Sequence, residues 1–424
     1  MNIKRLLISR YANFSWAFVG NAIYAVSQWG ILIVIAKLGN PEMIGQFTIG
    51  LAIASPVYML TNLQLSVVIA TDAMDQYEFS HYIALRLLAS LFGFFIIFLI
   101  VLFGKYSLET FLVIIFLSIA KGFETISDLI YGLLQKNERM DYVAFSLMLK
   151  GPLSFIALAG CLVLTRSMAG GALGMALTWL FLLLKFDRKI GSKFENLRPK
   201  FQKNQIASLI MLTIPLGVVM MISSLNANIS RYFIQHYQGS VSLGYFAAIS
   251  YTMTAGNTIV NALGQSSSPK LAKYYADGDK VSYLKLLKLL VTVGGVLGFL
   301  GTLVVLVFGK QILLILYDKE YVEYANIFIV IMIAAGISYV SSILGYSITA
   351  ARYFKPQPYL SIVILIVSLI LNALMVPKLG LMGAAYATLG SSIIQLLGSV
   401  VLNLKVAQKL CTKPNFGEVK LNRE

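Results

Sequence analysis

Long apolar runs alternate with short charged stretches along the whole chain. A helix that crosses a bilayer needs about 20 consecutive, mainly apolar residues. On that measure the pattern predicts about twelve spans. They fall at roughly 12–36, 44–70, 82–103, 108–134, 142–165, 169–186, 206–234, 241–263, 286–308, 322–350, 357–376 and 381–404. Connections are short except at 187–205 and 264–285. Pro56, Pro152 and Pro215 lie inside spans two, five and seven, where a missing backbone donor is expected to kink the helix. No ten-residue alternating strands occur, which excludes an outer-membrane barrel. The run after Met1–Arg10 is interrupted by Asn13, Asn21, Ser27 and Gln28. It is also too long for a signal-peptide core, and no small-residue cleavage site follows it. It reads as the first span.

The polar positions inside these runs carry the functional information. Ser118, Lys121, Glu124, Asp128 and Tyr131 follow spacings of three and four, which place them on one face of the fourth helix. An ionisable residue at a helix centre costs about 2.5–3.5 kcal/mol on insertion scales, so this face is expected to meet protein or a watery cavity. Two readings stand. Lys121 pairing with Glu124 or Asp128 makes a neutralised structural cluster, whereas a cluster open to a cavity serves transport. The first helix carries Asn13, Asn21, Tyr24 and Gln28 on one face. The seventh carries Ser224, Asn228, Arg231 and Gln235 in the same way. These stripes either line a shared central cleft or serve interhelical hydrogen bonds. Lys150 is cavity-lining or snorkels, Arg231 has the same choice, and Arg86 reads as an interfacial anchor. Tyr24, Tyr131 and Tyr346 are candidates for stacking on sugar rings.

Composition supports the membrane reading: 58% of residues are hydrophobic, 12% are charged, and the mean hydropathy is +0.79. The formal charge of +16 is a matter of position. The N-terminus, with Lys4, Arg5 and Arg10, every second loop, and the tail, with Lys413, Lys420 and Arg423, hold most of the lysines and arginines. The opposite loops hold only Lys37, Lys105, Arg166, Lys310, Lys319 and Lys378. The positive-inside rule then places both termini in the cytoplasm. Nucleic acid is not needed to explain the basic loops, which are expected to meet anionic lipid headgroups. Cys161 and Cys411 form no disulfide framework, and His81 and His236 have no metal-ligand spacing around them. No catalytic triad, nucleotide-binding loop or metal site is expected, so the chain reads as a non-enzyme without a cofactor.

The chain also echoes itself. LGNPEMIGQF at 38–47 returns as QGSVSLGYF at 238–246, and GALGMA at 171–176 returns as GLMGAA at 380–385. Each echo lies about 200 residues on, a parallel repeat of six-helix halves. The expected organisation is a six-helix bundle at 1–186, a basic cytoplasmic linker at 187–205, a second bundle at 206–404 and a cytoplasmic tail at 405–424.

LGNPEMIGQF, GLLQKNERMDYVAFSL at 132–147, LGYFAAISY with ALGQSSSPKLAKYYADGD, and MVPKLGLMGAAYAT resemble the polysaccharide repeat-unit flippases. Those transporters of O-antigen and capsule units belong to the multidrug/oligosaccharidyl-lipid/polysaccharide exporter superfamily. The resemblance covers about 12–408 and rests on the order and spacing of loose motifs. It implies an all-α polytopic membrane protein with two six-helix bundles, related by a parallel pseudo-two-fold, around a central cavity. It further implies alternating access in the bacterial inner membrane, with an undecaprenyl-pyrophosphate-linked oligosaccharide as substrate and proton or sodium coupling. Polysaccharide polymerase machinery is an implied partner. A pyrophosphate needs cations to enter low dielectric, which makes Lys121, Arg231 and Lys150 substrate candidates, with Asn21, Tyr24, Gln28 and Asn228 lining the path. Glu124 and Asp128 are candidates for the coupling ion. A drug or cation antiporter of the same superfamily is the alternative. A membrane glycosyl polymerase or ligase, the alternative from another class, is disfavoured by the short outer loops.

Overall fold

A computed structural model gives the backbone of residues 3–72 and 76–411, with side chains from Trp16 to Leu410 apart from Ala255. Asn13, Lys4, Arg5, Arg10, Lys413, Lys420 and Arg423, singled out above, lie outside the described side chains.

The described chain is helical throughout. In order the helices are α1 (Ile3–Leu38), α2 (Pro41–Asn62), α3 (Leu65–Thr71), α4 (Phe79–Phe103), α5 (Leu108–Lys136) and α6 (Met140–Thr165). There follow α7 (Met168–Leu182), α8 (Arg188–Gly191), α9 (Lys203–Asp277), α10 (Lys280–Leu316), α11 (Ala325–Ala350) and α12 (Gln357–Cys411). Among the described residues, ten stretches are long and apolar enough to cross a membrane. Two of them, α9 with 75 residues and α12 with 55, far exceed one crossing of about 20 residues. Each is broken at a glycine with positive φ, Gly239 at 79° and Gly380 at 62°, a conformation that a Cβ makes costly. Each therefore supplies two crossings, and ten stretches become the expected twelve.

The helix starts follow local chemistry. Asn40 caps α2 by accepting from Met43 N at 2.9 Å, with Pro41 in the first turn, where its missing donor is harmless. Ser107 caps α5 and Ser167 caps α7. Glu109 of α5 then accepts from Ser167 Oγ at 2.9 Å and from Met168 N at 3.1 Å, tying these two helix starts together.

Two features differ from expectation. Span two breaks at Leu63 and Gln64, with φ of 53° and 51°, while α2 runs on past Pro56. The stretch 264–285, expected to be a connection, is mostly helix: α9 continues to Asp277, and only Gly278 and Asp279 separate it from α10.

By packing, the chain divides into Met1–Asn228 and Ile229–Glu424. The sequence repeat puts the seam at 187–205, whereas the compact units part within α9. The cause is apolar contact: Leu209 is buried with Leu63, Leu65, Phe79, Tyr82 and Leu133 in the first unit. The basic segment is equally packed. Ile190 lies in a cluster with Ile130, Leu134, Val143 and Leu183, and Lys200 N donates to Ser80 O at 3.1 Å.

The second unit joins α10, α11 and α12 by apolar contact and a buried polar chain. Tyr283 Oη meets Ser347 Oγ at 2.7 Å, Ser347 Oγ donates to Asn403 Oδ1 at 2.6 Å, and Asn403 Nδ2 donates to Leu344 O at 3.1 Å. Every member is satisfied, as interhelical polar contacts in a bilayer require.

Candidate functional site

The charged face of α5 lines a cavity of about 420 Å³ in the first unit. Lys121, Glu124, Asp128 and Tyr131 supply one wall, Asn21 comes from α1, Tyr58 and Asn62 from α2, and Lys150 from α6. Ser118, on the same helix face by spacing, is buried and donates to Ile114 O at 2.7 Å. The α1–α6 contact that forms one side depends on Gly151. A Cβ there would come within 2.8 Å of Ser27 Oγ and 3.1 Å of Tyr24 Cα, too close for an unshifted side chain.

Three cations meet three carboxylates in and around this cavity. Lys121 Nζ donates to Glu124 Oε2 at 2.6 Å, and Tyr24 Oη donates to Glu124 Oε1 at 2.8 Å. Lys150 Nζ donates to Tyr131 Oη at 3.1 Å and stands 4.0 Å from Asp187 Oδ2. Asp187 in turn accepts from Ser127 Oγ and Ser146 Oγ, both at 2.6 Å. Arg86 Nη2 lies 3.9 Å from Asp128 Oδ2. Arg86 Nη1 donates to Asn62 Oδ1, and Asn62 Nδ2 donates to Asp128 at 3.4 Å. The Trp179 ring lies beneath two of the cations, 5.5 Å from Lys121 Nζ and 5.7 Å from Lys150 Nζ, close enough for cation–π attraction.

The three pairs differ in access. The side chains of Lys121 and Glu124 are each 26% exposed, whereas Lys150, Asp187 and Arg86 are each 1% exposed. A sealed ion pair rigidifies its surroundings, and a pair that reaches a cavity can exchange partners with a ligand. Among the described residues, no group of three or more histidines, cysteines and acids is placed to hold a metal.

The other expected residues fall as follows. Asn21 lines the cavity and donates to Ala17 O of its own helix at 2.8 Å. Gln28 is not part of the lining, and its buried Nε2 has no partner among the described residues. Asn228 is buried at the end of the first unit and donates to Ser224 O at 2.8 Å. Arg231 belongs to the second unit, its guanidinium 5.8 Å from the Tyr251 ring centre. Tyr346 also lies there, donating to Asn261 Oδ1 at 3.4 Å.

With this geometry established, the comparisons with known proteins are specific. The model of the family described as "Polysaccharide biosynthesis protein" matches residues 11–275. A capsular polysaccharide biosynthesis protein, CapF of Staphylococcus aureus, is 31% identical over 391 residues, covering 91% of this chain and 97% of its own. The chain belongs to the polysaccharide biosynthesis protein family. Its fold is shared with a multidrug resistance MATE family transporter of the MOP superfamily, seen in an inward-facing conformation. That match has a TM-score of 0.73 at 10% identity, over 94% of this chain and 100% of the other. The lipid II flippase MurJ matches with a TM-score of 0.69 at 17% identity, over 95% of this chain and 90% of the other. At such identities the likeness concerns the fold. It gives this member of the family the fold of a polytopic helical membrane protein.

Three residues of the family member's cluster escape the sequence pattern. Arg86, at the expected cytoplasmic end of a span, reads as an anchor at the membrane surface. Its side chain is instead buried, where Asn62 accepts a hydrogen bond from it and the Asp128 carboxylate faces it as an ion pair. Asp187 stands among the basic residues of the expected linker. A π-helical turn, Leu183–Asp187, prolongs α7 and carries this carboxylate into the bundle. Trp179 reads as a packing residue, and its indole Nε1 donates to Ser154 Oγ at 2.6 Å. Ser127 and Ser146, polar positions within otherwise apolar runs, are the signal that a buried acceptor lies near.

Proposed function

We propose that the protein moves undecaprenyl-pyrophosphate-linked oligosaccharide units across the bacterial cytoplasmic membrane by alternating access, for capsule or related surface polysaccharide synthesis. The carrying observation is the Lys121–Glu124 pair, partly exposed on the wall of a polar intramembrane cavity. A pyrophosphate entering that cavity competes with Glu124 for the ammonium. Lys121 can then trade one anion for another without standing unpaired in low dielectric. Lys150 is sealed with Asp187 and the Arg86 side chain is itself buried, so they position the wall and leave contact with phosphate to Lys121. Asn21 and Tyr24 lie on the same side as hydrogen-bonding groups for the sugar. Glu124 and Asp128 are the acids assigned to a coupling proton or sodium ion, Glu124 being released from Lys121 as substrate binds. The positive-inside bias supports cytoplasmic termini.

The test is complementation of a strain that lacks its own flippase, with surface polymer as the readout and membrane insertion measured in parallel. Lys121→Ala is expected to abolish polymer display while inserting normally, and Lys121→Arg to retain part of it. Full display by a well-inserted Lys121→Ala variant would return the cluster to a purely structural role. Normal display by Lys121→Ala combined with loss of resistance to a cationic drug would favour the antiporter reading.

A further inference from the structure

The segment from Leu184 to Arg198 carries five cations and two acids. Both acids are kept away from one side of it. Asp187 is buried, held by Ser127 and Ser146. Glu195 lines a neighbouring cavity with Lys136 and Lys200. The cations Lys185, Arg188, Lys189 and Arg198 are left to line a groove of about 610 Å³, with Ser192 and Asn196 between them. At about 30 Å³ per water the groove holds roughly twenty waters, enough space for a phosphorylated headgroup. Lys185, Arg188, Lys189 and Ser192 follow helical spacings of three and four, so they share a face. Arg198 returns to the same groove through the turn in which its N–H donates to Asn196 Oδ1 at 3.1 Å. None of these four cations forms an ion pair among the described residues. Four like charges around one groove repel each other and favour a ligand with more than one negative charge.

The apolar side identifies the class of ligand. Leu184 and Leu197 complete the lining. Leu173, Leu177, Phe181 and Leu184 are all exposed and follow spacings of four, four and three, one stripe along α7 that ends at the groove. The stripe belongs to a stretch long and apolar enough to cross a membrane, so it is a surface for hydrocarbon, and a lipid lying on it places its headgroup among the cations.

We propose that this groove is a binding site for a membrane lipid whose headgroup carries two phosphates, with its hydrocarbon chain lying along the α7 stripe. Two sources share that chemistry: a diphosphatidyl phospholipid such as cardiolipin, and a polyprenyl pyrophosphate. The site is distinct from the Lys121 cavity and does not depend on what that cavity transports.

The experiment uses the full-length protein in nanodiscs or detergent, with lipid retention read by native mass spectrometry. The probes are cardiolipin, undecaprenyl pyrophosphate, phosphatidylcholine and free inorganic pyrophosphate. The triple variant Arg188→Gln, Lys189→Gln, Arg198→Gln changes exposed side chains and leaves the buried cluster intact. Wild type is expected to hold cardiolipin, undecaprenyl pyrophosphate or both at least tenfold more tightly than the triple variant does, with phosphatidylcholine held alike by the two. Loss confined to cardiolipin identifies a structural lipid site, and loss confined to undecaprenyl pyrophosphate identifies a substrate-loading site. Because Lys121 is itself proposed to meet pyrophosphate, the undecaprenyl pyrophosphate arm is repeated in a Lys121→Ala background, where the triple variant is expected to lower retention by a further tenfold. Equal retention by wild type and the triple variant would overturn the proposal. So would free pyrophosphate binding as tightly as the lipids.

Discussion

Lys150 and Asp187 face each other at 4.0 Å with almost no exposed side-chain surface. Removing one partner of such a pair leaves a bare charge in low dielectric, at a cost of about 3–5 kcal/mol. Asp187→Leu is therefore expected to lower stability by about that amount in thermal unfolding of the purified protein. Combining it with Lys150→Met removes both charges and is expected to restore most of the loss. A single variant as stable as wild type would show that Tyr131 and the Trp179 ring carry Lys150. The sequence exposes half of this network. Lys121, Glu124, Asp128 and Tyr131 are legible because charge inside an apolar run is conspicuous and helical spacing is rigid. Asp187 is hidden because the burial of a carboxylate at a helix end depends on a π-turn, which has no local signature. Arg86 is hidden because its long side chain reaches either the headgroups or the interior, and tertiary acceptors decide between them.

At the scale of elements, the segment after α8 is clamped to the start of α4. Lys200 Nζ donates to Glu78, His81 Nε2 meets Gln202 Oε1 at 3.1 Å, and Ser80 Oγ donates to Asn196 O at 3.3 Å. The hydrogen bond and charge of Lys200 hold the Glu78 carboxyl below the usual carboxylate range. A depressed acid stabilises the fold above its unfolded-state pKa, and that contribution fades as pH falls through its folded-state value. The clamp is thus expected to be whole at neutral pH and to loosen on acidification below the ordinary carboxylate range. Hydrogen exchange of residues 196–202 is the measurement. Lower protection, taken relative to the intrinsic exchange rate at each pH, is expected at low pH in wild type and at all pH values in Glu78→Gln. Unchanged exchange in Glu78→Gln would assign the clamp to the Ser80 and His81 contacts alone. Spans are legible from hydropathy, but the break at Leu63 and Gln64 is not, since non-glycine residues with positive φ are held there by packing and not by turn chemistry. The division by packing falls at Asn228 and Ile229 and not at the seam expected from the repeat, for a related reason. Sequence symmetry follows the repeat, whereas apolar contact decides which neighbours a helix keeps.

For the whole molecule, twelve crossings with the positive-inside bias predict an even topology. Reporter fusions at Lys203 and Lys405 are expected to report cytoplasm, and one at Lys319 the opposite side. An external signal at Lys203 would break the arrangement of six crossings before and six after the basic segment. The pairing of Lys121, Lys150 and Arg86 with Glu124, Asp187 and Asp128 also has an electrical consequence. Positive and negative groups cancel within this cluster, so under the proposed function the cluster itself drags no net charge through the membrane field when the empty protein reorients. Each uncompensated charge that crosses 100 mV exchanges about 2.3 kcal/mol with the field, and at this cluster the cargo is what remains uncompensated under the proposed function. An inside-negative voltage would then push the pyrophosphate-bearing unit outward and let the vacant protein return unopposed. Charge moved per unit exported becomes a meter: every coupling cation carried alongside the lipid subtracts one, so a current trace would read the stoichiometry directly.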